Sequence, residues 1–347
     1  MITKIIKLNE KKFRIDEIKI AVETIVKGGL VAFPTETVYG LGANVFNAKA
    51  IEKIYEVKGR PKDNPFIAHI ADKKDVYRLA SEIPEKAEGL MKKFWPGPLT
   101  LIFKKSKIVP DVTTAGLSTV AIRMPDNKIA LALIRESKVP IAAPSANLAG
   151  KPSPTSAEHV IHDLYGKIEV IIDAGKTKIG VESTVLDITT DPPTLLRPGG
   201  VTLEELGSFL GKVKLHPIVK SEKKIGKVIA KSPGMKYKHY APEAELTVIK
   251  GKTIAVREKI QELANEYKTL GKRVGVMTTS KYDYDADVVK FVGRDLKTIA
   301  KNLFKTFREF DKEKVDVIIA ESVKTSGMGL AIMNRLKKAS GYNIVKT

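Results

Sequence analysis

The chain has 347 residues, more than one typical domain, and this length predicts two. Lys and Arg total 60 against 40 Asp and Glu, and the net charge of +20 favours polyanions such as RNA or nucleotides, although it also suits a surface rich in ion pairs. The absence of cysteine excludes disulfides, thiolate catalysis and cysteine-based metal sites.

The N-terminal part begins with a helix, a strand and a polar loop. Residues 1–7 lack the apolar core of a signal peptide and no apolar run could cross a bilayer, so we expect a cytoplasmic protein without a membrane segment. Apolar residues at helical spacing predict a helix over 15–27, and residues 30–33 predict a strand. Small hydroxyl residues and glycines follow over 34–42, which is typical of a binding lip in α/β proteins and also of an ordinary turn.

Three cations alternate with glycine and proline in the segment 58–65. The preceding residues 48–57 predict a helix that the glycine and proline end, and the apolar residues 66–70 predict a buried strand. The cations are Lys58, Arg60 and Lys62. Fixed cations beside a core indicate an anionic ligand, and Arg suits forked contacts to phosphate. A solvated basic loop is the alternative interpretation.

Strands continue toward residue 200, with polar side chains where they end. The predicted strands cover 99–103, 120–125, 140–143, 170–175, 183–188 and 195–200. Arg123 lies among apolar residues, and a cation there needs a partner or an anionic ligand. Ser145 and Asn147 follow a strand, where donors can meet a phosphate or carboxylate. Trp95 lies in a rigid turn, and we interpret it as buried rather than stacked on a base.

The pattern changes after residue 212. Residues 213–244 are rich in Lys and Gly and predict a linker, after which strands alternate with helices over 245–347. Helices between strands imply parallel pairing, so we expect a small Rossmann-like α/β domain there. Within the linker, residues 232–240 combine rigid turn residues, tyrosines and lysines. This composition is unusual in a passive tether, and a linker docked on the surface is the alternative interpretation.

The candidate site residues supply cations, hydroxyls and amides but no obvious nucleophile or base. The sequence has no Walker A segment, no kinase signature set and no HExxH. Such groups can bind and orient substrates but do not react with them. The reaction they permit is one in which the substrates react with each other, as in nucleotidyl transfer. The rival hypothesis is a non-catalytic module that binds double-stranded RNA or tRNA, which the charge supports and the aromatic content of 6% opposes.

Taken in order, the motifs resemble those of the YrdC-like threonylcarbamoyl-AMP synthase family. The matching segments are PTETVYGL from Pro34, KGRP from Lys58, His69, WPGPLT from Trp95, RMP from Arg123, PSAN from Pro144, ESTV from Glu182 and RPG from Arg197. They cover most of residues 10–212, and the remainder resembles the two-domain form of the enzyme. The resemblance implies a twisted open-sheet catalytic α/β domain over 1–212, then the linker and the Rossmann-like domain.

The resemblance also implies a reaction and its partners. L-threonine, bicarbonate or CO₂ and ATP would give threonylcarbamoyl-AMP and pyrophosphate. A separate threonylcarbamoyl transferase complex would then modify adenosine in the anticodon loop of tRNAs. Magnesium is expected on the ATP phosphates, although no carboxylate identifies itself as a ligand, and the positive charge is compatible with RNA contact.

Site residues follow from the resemblance by position. Those implied to contact ATP are Lys58, Lys62, Thr119, Ser145, Ser153 and Arg197, with Arg60 and Asn147 shaping the same pocket. Because the intermediate is a reactive mixed anhydride, we also predict that residues 232–240 form a lid over the nucleotide, with Tyr237 and Tyr240 facing ATP; a surface-docked tether is the alternative. Those implied to surround threonine are Thr35, His69, Arg123, Ala143 and Ser183. Arg123 can pair with the threonine carboxylate, and Ala143 would contribute mainly backbone. His69 could either take a proton or hydrogen-bond the threonine hydroxyl.

Overall fold

The protein is described by a computed structural model that covers residues 1–223, 226, 231 and 239–347. The chain forms two compact units. Of the described residues, the first contains Met1–Ala149, Ser153–Val219 and Lys231, and the second contains Gly150–Pro152, 220–223, Gly226 and 239–347. Both are α/β, as expected, and the short insertion at residues 150–152 is a feature that the sequence did not indicate.

The first unit is built on a mixed sheet of eleven strands among the described residues. In chain order these are β1 (Lys4–Lys7), β2 (Val31–Phe33), β3 (Gly40–Asn44), β4 (Ile67–His69), β5 (Leu99–Lys104), β6 (Thr119–Arg123), β7 (Ile141–Ala143), β8 (Val170–Asp173), β9 (Thr184–Asp187), β10 (Thr194–Arg197) and β11 (Lys214–Leu215). Across the sheet the order is β1-β8-β2-β3-β7-β4-β6-β5-β9-β10-β11. Strand β4 is parallel to β6 and antiparallel to β7, so His69 and Arg123 lie side by side where β4 and β6 end.

Helices surround this sheet. They are α1 (Lys19–Val26), α2 (Ala48–Lys58), α3 (Val76–Leu79), α4 (Glu85–Phe94), α5 (Asp111–Thr114), α6 (Lys128–Ser137), α7 (Ala157–Leu164), α8 (Leu203–Leu210) and α9 (Pro217–Lys220), with short 3₁₀ helices at Ile15–Ile18 and Lys73–Asp75. Helix α2 ends at Gly59, whose φ of 60° is the left-handed cap that glycine favours. The predicted helix over 48–57 and its glycine stop are therefore confirmed.

Strand β3 occupies residues that the sequence assigned partly to a polar turn. A Cβ added to Gly42 would lie 2.7 Å from Ile141 Cγ2 and 2.8 Å from Phe33 Cε1, closer than real Cβ atoms approach. Glycine therefore lets β3 pack tightly against β2 and β7. The glycine that suggested a turn marks a close approach inside the sheet.

Part of the predicted linker is regular structure. Strand β11 pairs in parallel with β10, with Thr194 opposite Lys214 and Leu195 opposite Leu215. Helix α9 follows directly, and its Ile218 and Val219 are buried. The weak apolar periodicity of this stretch did not reveal two such short elements.

The second unit contains a five-stranded sheet among the described residues. Its elements are β12 (Glu245–Lys250), α10 (Thr253–Thr269), β13 (Val274–Thr278), β14 (Val288–Phe291), α11 (Leu296–Glu313), β15 (Val317–Glu321), α12 (Gly329–Ala339) and β16 (Ile344–Lys346). The order across the sheet is β14-β13-β15-β12-β16, and every pair is parallel. Parallel pairing is thus confirmed. None of the helices in the described part of the chain is long and apolar enough to span a membrane.

Candidate functional site

Lys58, the last residue of α2, joins two of the predicted ATP-binding segments. Its side chain is buried, and its ammonium group donates to the carbonyl oxygen of Ser145 at 2.5 Å and to that of Asn147. The backbone carbonyl of Lys58 in turn accepts from Ala149 N at 2.8 Å. The cation therefore holds the loop after β7 against the end of α2, in addition to any contact with a ligand.

The other two cations of this loop differ in exposure. Arg60 is half-buried and folds back on its own loop: Nη2 donates to the carbonyl oxygens of Asn64 and Pro65, both at 3.2 Å, and the guanidinium lies 5.2 Å from the centre of the Phe66 ring. Lys62 is exposed. Because an exposed lysine keeps its rotamer freedom, Lys62 can adjust to an arriving phosphate, while Arg60 is pre-placed.

The polar loop after β2 is hydrogen-bonded to the loop after β7. Thr35 Oγ1 donates to the carbonyl oxygen of Val38 at 2.6 Å and thereby closes a tight turn. The backbone of Tyr39 accepts from Ala146 N at 2.9 Å. The segments beginning at Pro34 and Pro144 therefore lie side by side, and the interpretation of residues 34–39 as part of a binding lip is favoured over an isolated turn.

Arg123, at the end of β6, forms a buried ion pair with Glu36. Arg123 Nη2 lies 2.7 Å from Glu36 Oε2, and the two side chains are 4% and 3% exposed. Arg123 Nε also donates to the carbonyl oxygen of Gly97 at 3.3 Å. The sequence required a partner or an anion for Arg123, but did not identify Glu36. An acidic residue between two threonines at a strand exit was the available signal.

His69 lies beside Arg123 because β4 and β6 are parallel and pair these two residues in register. Burial, together with the nearby Arg123 charge, lowers the pKa of His69 to about 3. Nδ1 donates to the carbonyl oxygen of Ile67 at 3.1 Å, so in the neutral ring Nε2 is an acceptor. Of the two roles that the sequence left open, the geometry favours the hydrogen bond to a hydroxyl over proton uptake.

Arg197 and Ser183 connect the two predicted subsites directly. Arg197 donates from Nε to the carbonyl oxygen of Ser183 and from Nη2 to its Oγ, both at 3.1 Å. Thr100 Oγ1 lies 2.8 Å from the same Ser183 hydroxyl. All three residues are buried. A cation expected to face ATP thus touches a hydroxyl expected to face threonine, and Thr100 is a neighbour that the motifs did not single out.

The remaining predicted residues of the first unit occupy strand ends and loops around this network. Ser153 is buried, and its Oγ donates to Glu182 Oε1 at 2.5 Å. Thr119 is half-buried at the start of β6, and Ala143 is buried at the end of β7, opposite Ile67. Ala143 has no polar side-chain group, and a backbone contact from it to threonine stays a prediction.

The predicted lid is only partly described. Residues 232–238, including Tyr237, lie outside the described residues. Tyr240 is buried in the second unit, where its ring stacks on Phe304 at 5.3 Å and the Arg335 guanidinium lies 5.3 Å from its centre. These contacts give Tyr240 a packing role, and its contact with ATP stays a prediction.

Comparison with known families accounts for both units. Residues 23–199 match the family model Sua5_yciO_yrdC, described as "Telomere recombination". Residues 201–341 match the family model described as "Threonylcarbamoyl-AMP synthase, C-terminal domain". The two matches follow one another along the chain, in the order expected from the sequence.

Individual relatives cover nearly the full chain. The threonylcarbamoyl-AMP synthase of Pyrococcus abyssi is 57% identical over 96% of this chain and 97% of its own length. That of Bacillus subtilis is 56% identical over 91% of both chains. The crystal structure of P. abyssi Sua5 complexed with L-threonine superposes with a TM-score of 0.96 at 55% identity, covering 99% of this chain and 100% of the other.

Proposed function

Because the chain belongs to the threonylcarbamoyl-AMP synthase family in its two-domain form, it makes threonylcarbamoyl-AMP, and we propose that the substrates meet in the first unit beside Arg197 and Ser183. The reaction joins L-threonine, bicarbonate or CO₂ and ATP, and releases pyrophosphate. The contact between Arg197 and Ser183 is the observation that supports this location of the substrates. It brings Arg197, a cation suited to bind phosphate, against a hydroxyl of the proposed threonine subsite. The alternative of a non-catalytic RNA-binding module is not favoured.

In the proposed threonine subsite, Arg123 holds the carboxylate. Its Nε donates to the carbonyl oxygen of Gly97, and its buried Nη2, 2.7 Å from Glu36 Oε2, forms no hydrogen bond with a described residue, so the guanidinium keeps donor capacity for an incoming carboxylate. His69 Nε2 accepts from the threonine hydroxyl. Thr35, Ser183 and the backbone at Ala143 complete the subsite.

In the proposed ATP subsite, cations stabilise charge that moves toward the leaving pyrophosphate. The threonine carbamate attacks the α-phosphorus, and the bond to the bridging oxygen of pyrophosphate breaks. Arg197 and Lys62 neutralise phosphate oxygens. Lys58 fixes the loop that carries Ser145 and Asn147, and Arg60 fixes its own loop through the carbonyl of Asn64. Ser153 and Thr119 lie on neighbouring segments of the same unit and complete the ATP contacts.

We propose that Mg²⁺ arrives with ATP. Among the residues that the structure describes, no group of three or more His, Asp or Glu side chains could hold a metal ion. Mg²⁺ is commonly bound by substrate phosphates plus one or two protein ligands, so this chain fits such a site without a dedicated cage. The ion would screen the phosphate charges. We further propose that a transferase complex consumes the product to modify tRNA.

The test is the substrate dependence of pyrophosphate release by the full chain. We expect release that requires ATP, L-threonine and bicarbonate together and proceeds without tRNA. Omitting each substrate in turn is the control. Release that continues at the same rate without threonine would contradict the proposal, and no release with all three substrates from a protein that binds RNA would restore the non-catalytic RNA-binding alternative.

A further inference from the structure

Glu36 is a buried carboxylate with unused hydrogen-bonding capacity. An ionised carboxylate has about four acceptor positions. Both Oε1 and Oε2 are buried, yet no donor among the described residues forms a hydrogen bond to either oxygen. The ion pair with Arg123 is the contact that compensates its charge. A buried ion pair is costly unless further hydrogen bonds satisfy its remaining atoms, so these oxygens are suited to donors that come from a ligand.

Glu36 is positioned to bind the amino group of an α-amino acid. A zwitterion carries its ammonium and carboxylate on one carbon, and its binding site needs an anion and a cation side by side. Glu36 and Arg123 form such a pair at 2.7 Å. Thr35 precedes Glu36 in the chain, and the carbonyl of Glu36 accepts from Ile179 N at 2.8 Å, which fixes the backbone of this residue.

On the basis of the proposed function, we infer that Glu36 is a catalytic residue that binds the α-amino group of threonine and accepts its proton during carboxylation. Threonine ammonium and bicarbonate first give the amine, CO₂ and water. The amine nitrogen then forms a bond to the carbon of CO₂, one C=O π pair moves to oxygen, and one N–H proton passes to Glu36. The products are the threonine carbamate and a protonated Glu36. Proton transfer is easy because an N-carboxylated ammonium is strongly acidic.

His69 does not compete for this role. Its ring is neutral, and its low pKa makes it a weaker proton acceptor than an ordinary histidine. Arg123 and Arg197 remain cationic and cannot accept a proton. Among the described groups assigned to the threonine subsite, Glu36 is thus the one whose chemistry suits a base.

The binding test compares threonine with 3-hydroxybutyrate, which lacks the amino group. Calorimetric titration is done in the presence of a non-hydrolysable ATP analogue. Wild-type protein should bind threonine about 10- to 100-fold more tightly, as expected for a hydrogen bond to a charged group. In Glu36→Gln the two ligands should differ by less than about threefold. Equal weakening of both ligands would overturn the inference, because Glu36 would then act only through Arg123.

The kinetic test follows threonylcarbamoyl-AMP formation from pH 6.5 to 9. Glu36→Gln should lower kcat about 10²- to 10⁴-fold, with partial recovery at high pH as solvent base replaces the carboxylate. Glu36→Asp should keep more activity than Glu36→Gln, since it keeps the base. A kcat for Glu36→Gln within threefold of wild type would overturn the inference.

A matched control removes another buried carboxylate of the first unit. Asp187 accepts from Thr189 N at 3.0 Å, lies 3.2 Å from Lys231 Nζ, and has no place in the proposed subsites. Asp187→Asn should keep the wild-type preference for threonine over 3-hydroxybutyrate. Loss of that preference in Asp187→Asn would overturn the assignment to Glu36. Wild-type protein that binds threonine no better than its analogue, or makes no product, would instead remove the proposed function itself.

Discussion

The ammonium group of Lys58 lies 2.5 Å from the carbonyl oxygen of Ser145. One residue ends a helix and the other begins the loop after β7, and both were expected to contact ATP. The buried Lys58 ammonium thus stabilises the loop after β7 in the absence of nucleotide, since charged hydrogen bonds are stronger than neutral ones. The two segments proposed to bind ATP are therefore held together by an interaction that does not involve ATP.

The first prediction concerns this contact. Lys58→Met keeps most of the side-chain volume but leaves the carbonyls of Ser145 and Asn147 without their charged donor. Loss of a hydrogen bond to a charged group costs about 1.5–3 kcal/mol, so we expect at least a tenfold loss in kcat/KM for ATP. Steady-state pyrophosphate release measures it.

Two surface lysines serve as controls for Lys58. Lys49 is exposed on the same helix, and Lys49→Met should stay within about twofold of wild type. Lys62→Met should raise KM for ATP without loosening the loop. Similar losses in all three variants would show that the segment acts only as a diffuse positive surface.

The second prediction concerns amino-acid choice. In the proposed subsite, His69 Nε2 and the neighbouring hydroxyl groups form hydrogen bonds with the threonine hydroxyl. Valine would leave one of these polar groups unpaired, which costs about 1–3 kcal/mol of binding free energy. Serine lacks only a methyl group and should be rejected less strongly. We expect kcat/KM for valine to be about 10- to 100-fold below that for threonine.

His69→Leu is the matched variant for this selectivity. This variant removes the acceptor and should reduce the difference between the kcat/KM values for valine and threonine. Valine turnover comparable to that of threonine in the wild-type enzyme would refute the assignment of the hydroxyl contact.

The third prediction is a pH dependence of stability. In the folded state the pKa of His69 is lowered to about 3 from 6.5. The unfolded chain therefore takes up a proton near pH 6.5 while the folded chain does not, so this contribution to stability is complete above pH 6.5 and declines as pH falls toward 3. Between pH 7.5 and 5 the loss is about 2 kcal/mol.

Denaturant titrations followed by Trp95 fluorescence isolate this effect. Trp95 is the only tryptophan and lies in the first unit, so its signal reports the unfolding of that unit. His69→Gln should show a smaller decline in unfolding free energy on acidification. Parallel curves for the two proteins would mean that the pKa of His69 is the same in the folded and unfolded chains, and would contradict the lowered value.

The fourth prediction contrasts two glycines. Gly42→Ala places a methyl group against Ile141 and Phe33 and should destabilise the first unit by about 1–3 kcal/mol. Gly207, in helix α8, has no atom within 4 Å of an added Cβ, and Gly207→Ala should stabilise by about 0.5–1 kcal/mol. The same fluorescence assay measures both, and a Gly42→Ala protein at least as stable as wild type would contradict the packing described for β3.

Local features of the fold follow from the sequence alone. The stop of α2 at Gly59 and the placement of the cations after it depend on residues within one helical turn. The burial of Trp95, whose indole nitrogen donates to the carbonyl oxygen of Leu99 at 2.7 Å, confirms its interpretation as a structural residue. The ordered motifs also led to the correct family, because each keeps its chemistry in a short contiguous segment.

The contacts that make these motifs into a site required the tertiary structure. The pairing of Glu36 with Arg123, and that of Ser183 with Arg197, join residues far apart in the chain. Strand order and register decide which of them meet, and periodicity does not encode either. The same reason explains β3: a glycine permits both a turn and a close strand contact, and only the neighbouring Phe33 ring decides between them. Sequence determined the chemical groups, and packing determined their partners.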